Sequence, residues 1–153
     1  MSEVLCKAAL KGNRVCRAAL ICCSDERFWE AAAIDLLKTL HIETVNPFMV
    51  PGGVKVLNDE KNDRVNQFFW DQINFLNEKH PFEKIIICAH SNNCAAYARE
   101  GLAFESAREE EWFHTRELIQ AGVKLGETFP GCEVIAVYSR QLDPETVEFV
   151  RVP

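Results

Sequence analysis

Two short stretches of the chain are continuously apolar, Ala18-Ala19-Leu20-Ile21-Cys22 and Ile85-Ile86-Ile87-Cys88-Ala89. Unbroken apolar runs of this length mark strands buried on both faces, as in a parallel sheet. They predict strands over 17–22 and 84–89. After the first run the period changes: Trp29, Ala33, Leu36, Leu37 and Leu40 recur at helical spacing, and Ser24 or Asp25 stands where a cap is needed. Val45 to Val50 reads as another strand, an edge or an irregular one because Pro47 cannot donate to a ladder. Pro51-Gly52-Gly53 then turns the chain. A second helix is predicted from Asn58 or Asp59 to about Lys79, turning Val65, Phe68, Phe69, Ile73 and Leu76 inward, with His80-Pro81 as its stop.

Beyond the second apolar run, a helix is predicted from near Asn92 to Gly101. Ser106-Ala107-Arg108-Glu109 is a capping box opening a long helix that carries Trp112, Ile119, Val123 and Leu125, with Gly126 and Pro130 ending it. Glu133 to Tyr138 is a further strand. Leu142-Asp143-Pro144-Glu145 is turn chemistry, and Val147 to Val152 alternates as a strand able to return antiparallel. Residues 1–14 read as one or two helical turns broken at Gly12-Asn13. Strands alternating with helices predict an α/β fold: a mostly parallel central sheet of about four strands, a C-terminal antiparallel strand, and helices on both faces.

Composition narrows the class. A length of 153 residues without repeats, linkers or low-complexity segments reads as a single domain over 1–153, and 48% hydrophobic residues supply its core. A net charge of −6 without a basic stripe argues against a nucleic-acid surface. No stretch approaches the roughly 20 apolar residues of a membrane span. The polar opening Met1-Ser2-Glu3, interrupted further by Lys7, Lys11 and Arg14, does not read as a secretory leader. A cytoplasmic location is the resulting expectation, with the seven cysteines reduced and serving as core residues, ligands or catalysts.

Both apolar runs empty into chemistry. The first leads to Cys23-Ser24-Asp25-Glu26-Arg27, the second to His90-Ser91-Asn92-Asn93-Cys94. As parallel neighbours they bring Cys23, His90 and Cys94 to one carboxyl edge, where open α/β sheets keep their sites. Two thiols and an imidazole suit a zinc ion with an open position. Asp25-x-Arg27 alone reads as a helix-start ion pair; lying between candidate ligands, it reads as part of the site. Cys6, Cys16, Cys22, Cys88 and Cys132 read as small core hydrophobes, with Cys88 a reserve ligand because it shares a strand face with His90. His41, His80 and His114 have no partner pattern and read as solvated or structural.

Other chemistries fit less well. Ala89-His90-Ser91-Asn92-Asn93 sits where a nucleophile elbow would but lacks both glycines. Cys22–Arg27 and Cys94–Arg99 are one residue short of a cysteine-phosphatase loop, no Cys-x-x-Cys pair exists, and Pro51-Gly52-Gly53 lacks the lysine of a phosphate loop.

Cys-x-Asp-x-Arg after the first strand, with His and Cys after the third, strongly resembles the β-class carbonic anhydrases. The element order and the closing Val137-Tyr138…Asp143…Val147-Glu148-Phe149 extend the likeness over nearly all of the chain beyond residue 15. The resemblance implies Zn2+ held by Cys23, His90 and Cys94, with Asp25 and Arg27 as a catalytic dyad that orients the zinc-bound water, or with Asp25 as fourth ligand. It implies reversible hydration of carbon dioxide to bicarbonate by zinc-bound hydroxide, in a homodimer or higher homo-oligomer. Phe68-Phe69-Trp70 points the same way, since one helix face cannot bury all three against its own sheet. Alternatives are a zinc hydrolase of another small linear substrate, of the carbonyl sulfide or carbon disulfide type, and a non-catalytic zinc-binding relative.

The chain departs from the family pattern at three points. The N-terminal segment is short for a family that clasps its partner with it. Val50-Pro51-Gly52-Gly53 keeps only the last glycine of the family's Arg-Asn-Ala-Gly, which bears on the substrate pocket. Three residues separate His90 from Cys94 where the family has two. An added residue at a helix start rotates the remainder of the helix by about 100°. Asparagine tolerates left-handed backbone, so a bulge at Asn92 or Asn93 is expected to absorb it. Cys94 would then lie in the first helical turn, where the positive helix end favours its thiolate.

Overall fold

The computed structural model describes residues 15–61 and 63–153. The helical turns read in residues 1–14, and Cys6, lie outside the described residues. The strands are β1 (Ala18–Cys22), β2 (Asn46–Met49), β3 (Lys84–His90), β4 (Glu133–Asp143) and β5 (Thr146–Arg151). They form one sheet in the order β2-β1-β3-β4-β5, parallel except for β5, which returns antiparallel on β4. The proline-bearing β2 is an edge strand, as its missing N–H requires. β4 runs on to Asp143, with a bulge between Gln141 and Asp143. That extension carries Gln141 alongside the loop that leaves β3.

Side-chain alternation along β1 and β3 splits the core in two. Ala19, Ile21, Ile85, Ile87 and Ala89 join Leu57, Phe69, Ile73, Leu118 and Leu125 on one face. Ala18, Leu20, Cys22, Ile86 and Cys88 join Ala32, Leu36 and Leu37 on the other. Burial on both faces is what makes these strands continuously apolar, each isoleucine contributing on the order of 1.5–3 kcal/mol.

Helix α1 (Glu26–Ala31) is capped by Asp25 and continues through a π-helical turn, Ala32–Leu36, into α2 (Leu37–Thr39). The helix expected from Asn58 or Asp59 begins later, as α4 (Asp63–Lys79), and a short helix that was not expected, α3 (Lys55–Asn58), precedes it. The break between them has a local cause: Asp59 Oδ1 accepts the Lys61 amide at 3.2 Å, an Asx turn that competes with helix. On α4, Phe69 and Ile73 are buried, but Val65 and Phe68, expected to face inward, are 49% and 63% exposed.

Helix α5 is short (Ala95–Ala98) and α6 long (Ala107–Thr128). Ser106 caps α6 by accepting the Glu109 amide at 3.2 Å, while Glu109 reaches back to the Glu105 amide at 2.7 Å, one residue beyond the usual box. The inward stripe of α6 is Glu110, His114, Leu118, Ala121 and Leu125. Of the apolar residues read along this helix, Leu125 is buried but Trp112, Ile119 and Val123 are exposed, and Gly126 lies within the helix rather than ending it. Two polar residues, Glu110 and His114, open the buried stripe, so apolar spacing alone found only its Leu125 end.

Candidate metal centre

β1 and β3 are parallel neighbours, with Ile21 opposite Ile87, and both chain exits lie at the same sheet edge. Cys23 comes directly after β1, His90 ends β3, and Cys94 is the residue before α5. All three are buried, and one ligand atom from each lies within 4.8 Å of the others. Cys23 Sγ and Cys94 Sγ are 3.7 Å apart. Two thiolates at zinc–sulfur distances of about 2.3 Å in a tetrahedron are separated by about 3.8 Å, so the sulfurs already stand at the spacing a zinc ion needs.

His90 is oriented by its neighbours. It belongs to the α1 side of the sheet, where its ring stacks on Phe28 with centroids 4.3 Å apart. Nδ1 lies 2.7 Å from the Ser91 carbonyl, which can only accept, so Nδ1 carries the proton. That leaves Nε2 free as a metal ligand, and Nε2 is buried without a hydrogen-bond partner among the described residues. Burial pushes the His90 pKa down, but the Cys23 thiol, the Ser91 carbonyl and the charges of Cys23 and Asp25 outweigh it and hold the pKa above the ordinary histidine value. The pocket thus favours positive charge. An orphaned buried nitrogen beside two thiols in such a field fits zinc.

Asp25 and Arg27 sit at the rim. Arg27 holds both carboxylate oxygens of Asp25, at 2.9 and 2.6 Å. That grip, more than any other contact, keeps the Asp25 pKa below the usual carboxylate value. Asp25 is not one of the three residues that close on each other.

The Pro51-Gly52-Gly53 turn borders the site directly. The Gly52 amide donates to Cys23 Sγ at 3.3 Å. Gly53 has φ +54°, and a Cβ there would meet Cys23 N at 2.8 Å and the Cys88 carbonyl oxygen at 3.0 Å. A glycine is required at that position.

The segment between His90 and Cys94 holds the expected irregularity, at both asparagines: Asn92 has φ 70° and Asn93 φ 52°. Cys94 ends up capping α5 rather than inside its first turn. Its thiol is pushed up, chiefly by the hydrogen bond with Cys23, and the Cys23 thiol is lowered by the same bond. The Ala96 and Tyr97 amides at the start of α5 act in the expected sense, toward thiolate, but that bond and burial outweigh them.

Cys22 and Cys88 are core residues on the α1 face, and burial pushes both thiols up. Cys88 shares a face with His90 but lies one step down the strand, outside the cluster. Cys16 and Cys132 are half-buried, and His41 and His80 are exposed. Sequence reasoning missed Glu110, whose buried carboxylate accepts the amides of Asn92 and Asn93 at 3.1 and 2.7 Å. Its helical offset from Leu118 and Ala121 was the available signal.

Comparison with known proteins agrees with the fold. Residues 14–150 match a family described as putative carbonic anhydrase. No curated protein matches. Among solved structures, the carbonic anhydrase of Streptococcus mutans superposes with a TM-score of 0.55 at 13% identity, covering 96% of this chain and 87% of that one. That of Glaciozyma antarctica gives 0.52 at 12%, covering 91% and 83%. A tetrameric β-carbonic anhydrase of Sordaria macrospora gives 0.51 at 14%, covering 91% and 82%. At these identities the likeness is one of fold.

Proposed function

Because this chain belongs to the putative carbonic anhydrase family, we propose that it hydrates carbon dioxide reversibly to bicarbonate, with zinc held by Cys23, His90 and Cys94. The observation that carries the reading is the convergence of these buried donors, within 4.8 Å of one another, around an imidazole nitrogen with no other partner among the described residues. Zinc, when bound, supplies the Lewis acidity that makes water a usable nucleophile near neutral pH.

The chain's own residues do the rest. Asp25, ionised and immobilised by Arg27, accepts a hydrogen bond from the attacking water and so selects the lone pair that meets the carbon. The planar fork of Arg27 fixes both carboxylate oxygens, which the point charge of lysine cannot do. Gly52 steadies Cys23 by donating to its sulfur. Because the turn touching Cys23 is Pro-Gly-Gly, a second reading is retained: the same centre hydrolysing another small linear molecule, such as carbonyl sulfide or carbon disulfide.

Among the described residues no helix is long and apolar enough to cross a membrane. A cytoplasmic location, where thiols stay reduced, suits a Cys23–Cys94 pair that holds a metal. The exposed Val65, Phe68 and Phe75 on α4 support a homodimer or higher homo-oligomer.

Elemental analysis and a carbon dioxide hydration assay on one sample test the proposal. About one zinc per chain is expected, lost on Cys23→Ser, together with hydration activity. Metal-free protein from zinc-supplied medium, prepared without chelators, would refute the zinc centre. Zinc without hydration would leave the linear-substrate and non-catalytic readings, which carbonyl sulfide and carbon disulfide assays separate.

A further inference from the structure

The path from His90 to Cys94 takes an unusual form. Asn92 and Asn93 both occupy the left-handed region, at φ 70° and 52°. L-residues avoid it, and successive occupancy is rarer than single. The conformation presents two consecutive amide N–H groups to one side, a concavity suited to an anion. The anion is supplied from within the chain: Glu110 Oε2 accepts from Asn92 N at 3.1 Å and Oε1 from Asn93 N at 2.7 Å.

Glu110 is costly to keep where it is. It is 7% exposed, and among the described residues no cation pairs with it. Those two amides are its hydrogen bonds there, helped by its place at the start of α6, where the helix end is positive. On the other side the loop is tied to β4. The Ser91 amide donates to the Ser139 carbonyl at 3.0 Å, the Gln141 amide donates to Ser91 Oγ at 2.8 Å, and Asn92 Nδ2 donates to Gln141 Oε1 at 2.7 Å. Between these two anchors the chain re-enters the site, so that Cys94 Sγ arrives 3.7 Å from Cys23 Sγ.

We propose that Glu110 is a positioning residue for the metal centre: its carboxylate clamps the Asn92–Asn93 amides in left-handed conformation, and the clamp aims Cys94 at the metal. The proposal rests on the zinc centre argued above. Without the clamp the loop relaxes toward ordinary backbone and withdraws one thiolate, while Cys23 and His90 stay. Glycine at 93, which adopts φ above zero without steric cost, would stand in for the clamp.

The test compares the wild-type chain, Glu110→Ala, Glu110→Gln and the double variant Glu110→Ala/Asn93→Gly. Zinc affinity is read by chelator competition and the ligand set by the thiolate-to-metal absorption of cobalt-loaded protein. Glu110→Ala is expected to bind zinc about 10–100-fold more weakly, the usual cost of losing an outer-shell partner, with weakened thiolate–cobalt absorption. The double variant should recover both. Glu110→Gln, of the same shape, sets an N–H donor against one of the amides and should also weaken zinc, which carries the test if the alanine variant does not fold. Unchanged affinity and absorption in Glu110→Ala, or weakening that Asn93→Gly does not repair, would overturn the clamp. A wild-type chain that takes up no zinc would instead overturn the metal centre, and the clamp with it.

Discussion

Arg27 holds Asp25 through two side-chain bonds, Nε to Oδ1 at 2.9 Å and a terminal nitrogen to Oδ2 at 2.6 Å, while its own backbone amide reaches Oδ1 at 3.1 Å. The last of these is the N-cap of α1, so one carboxylate starts a helix and serves the site. Asparagine caps helices as well as aspartate does, which separates the two roles. Asp25→Asn should leave unfolding and zinc content near wild type. It should slow hydration by at least about tenfold, roughly 1.4 kcal/mol of barrier. An Asp25→Asn enzyme as fast as wild type would reduce the pair to a helix start.

Gly53 sits where Cys22, Cys23 and Cys88 all approach with backbone atoms, the nearest 2.8 Å from where a Cβ would lie. Its φ of +54° adds a second penalty for any L side chain. Gly53→Ala should therefore destabilise the fold by about 2–4 kcal/mol and displace Cys23 enough to impair zinc uptake. Gly101→Ala is the control: φ is +83° but nothing lies within 4 Å, so only the backbone strain remains. Denaturant unfolding of both variants should rank them in that order, and equal losses would show that crowding at Cys23 is not felt.

The parallel core was legible because burial on both faces leaves an apolar run that needs no periodicity to recognise, and Pro47 narrowed its strand to an edge or an irregular one, of which the structure has the edge. The three candidate ligands emerged from the same logic, since a parallel pair must deliver its exits to one edge. The helix faces were not legible in the same way. On α6 the buried stripe begins with Glu110 and His114, and a reading that looks for apolar spacing turns to Trp112, Ile119 and Val123, which the structure leaves exposed. The short α3 and the later start of α4 were missed for a related reason: a side chain competing for a backbone amide, as Asp59 does, leaves no trace in hydrophobic spacing. The left-handed turn at the asparagines was foreseeable from their tolerance of that backbone, but the carboxylate that meets them comes from another helix.

Val65, Phe68 and Phe75 put apolar side chains into solvent on α4, at exposures of 49%, 63% and 53%. Phe69 and Ile73 already satisfy the face toward the sheet, so folding does not explain them. If α4 meets another copy of the chain, light scattering at micromolar concentration should give a dimer or larger. Phe68→Glu should shift it toward monomer without loss of zinc. A monomeric wild type would end the homo-oligomer proposal.

His114 is 1% exposed, and neither ring nitrogen has a hydrogen-bond partner among the described residues. Tyr97, Phe104, Phe113 and Tyr138 surround it, with ring centroids 5.0–6.1 Å away. Burial, then the charge of His90, lowers its pKa from 6.5 to about 4. In the folded chain the imidazole thus stays neutral down to about pH 4, whereas in the unfolded chain it takes up a proton below about 6.5. Between those values the unfolded state binds more protons, so stability is full above about pH 6.5 and falls as the pH drops toward 4. The linkage amounts to about 3 kcal/mol for a group so shifted. His114→Leu keeps the volume and removes the titration, so its acid-side loss of stability should be shallower by that amount. At about pH 7 it should match or exceed the wild type, because the unpaired buried ring nitrogens are gone. Urea unfolding from about pH 4 to 8 measures both curves, and parallel curves would mean that His114 titrates alike in the folded and unfolded chain.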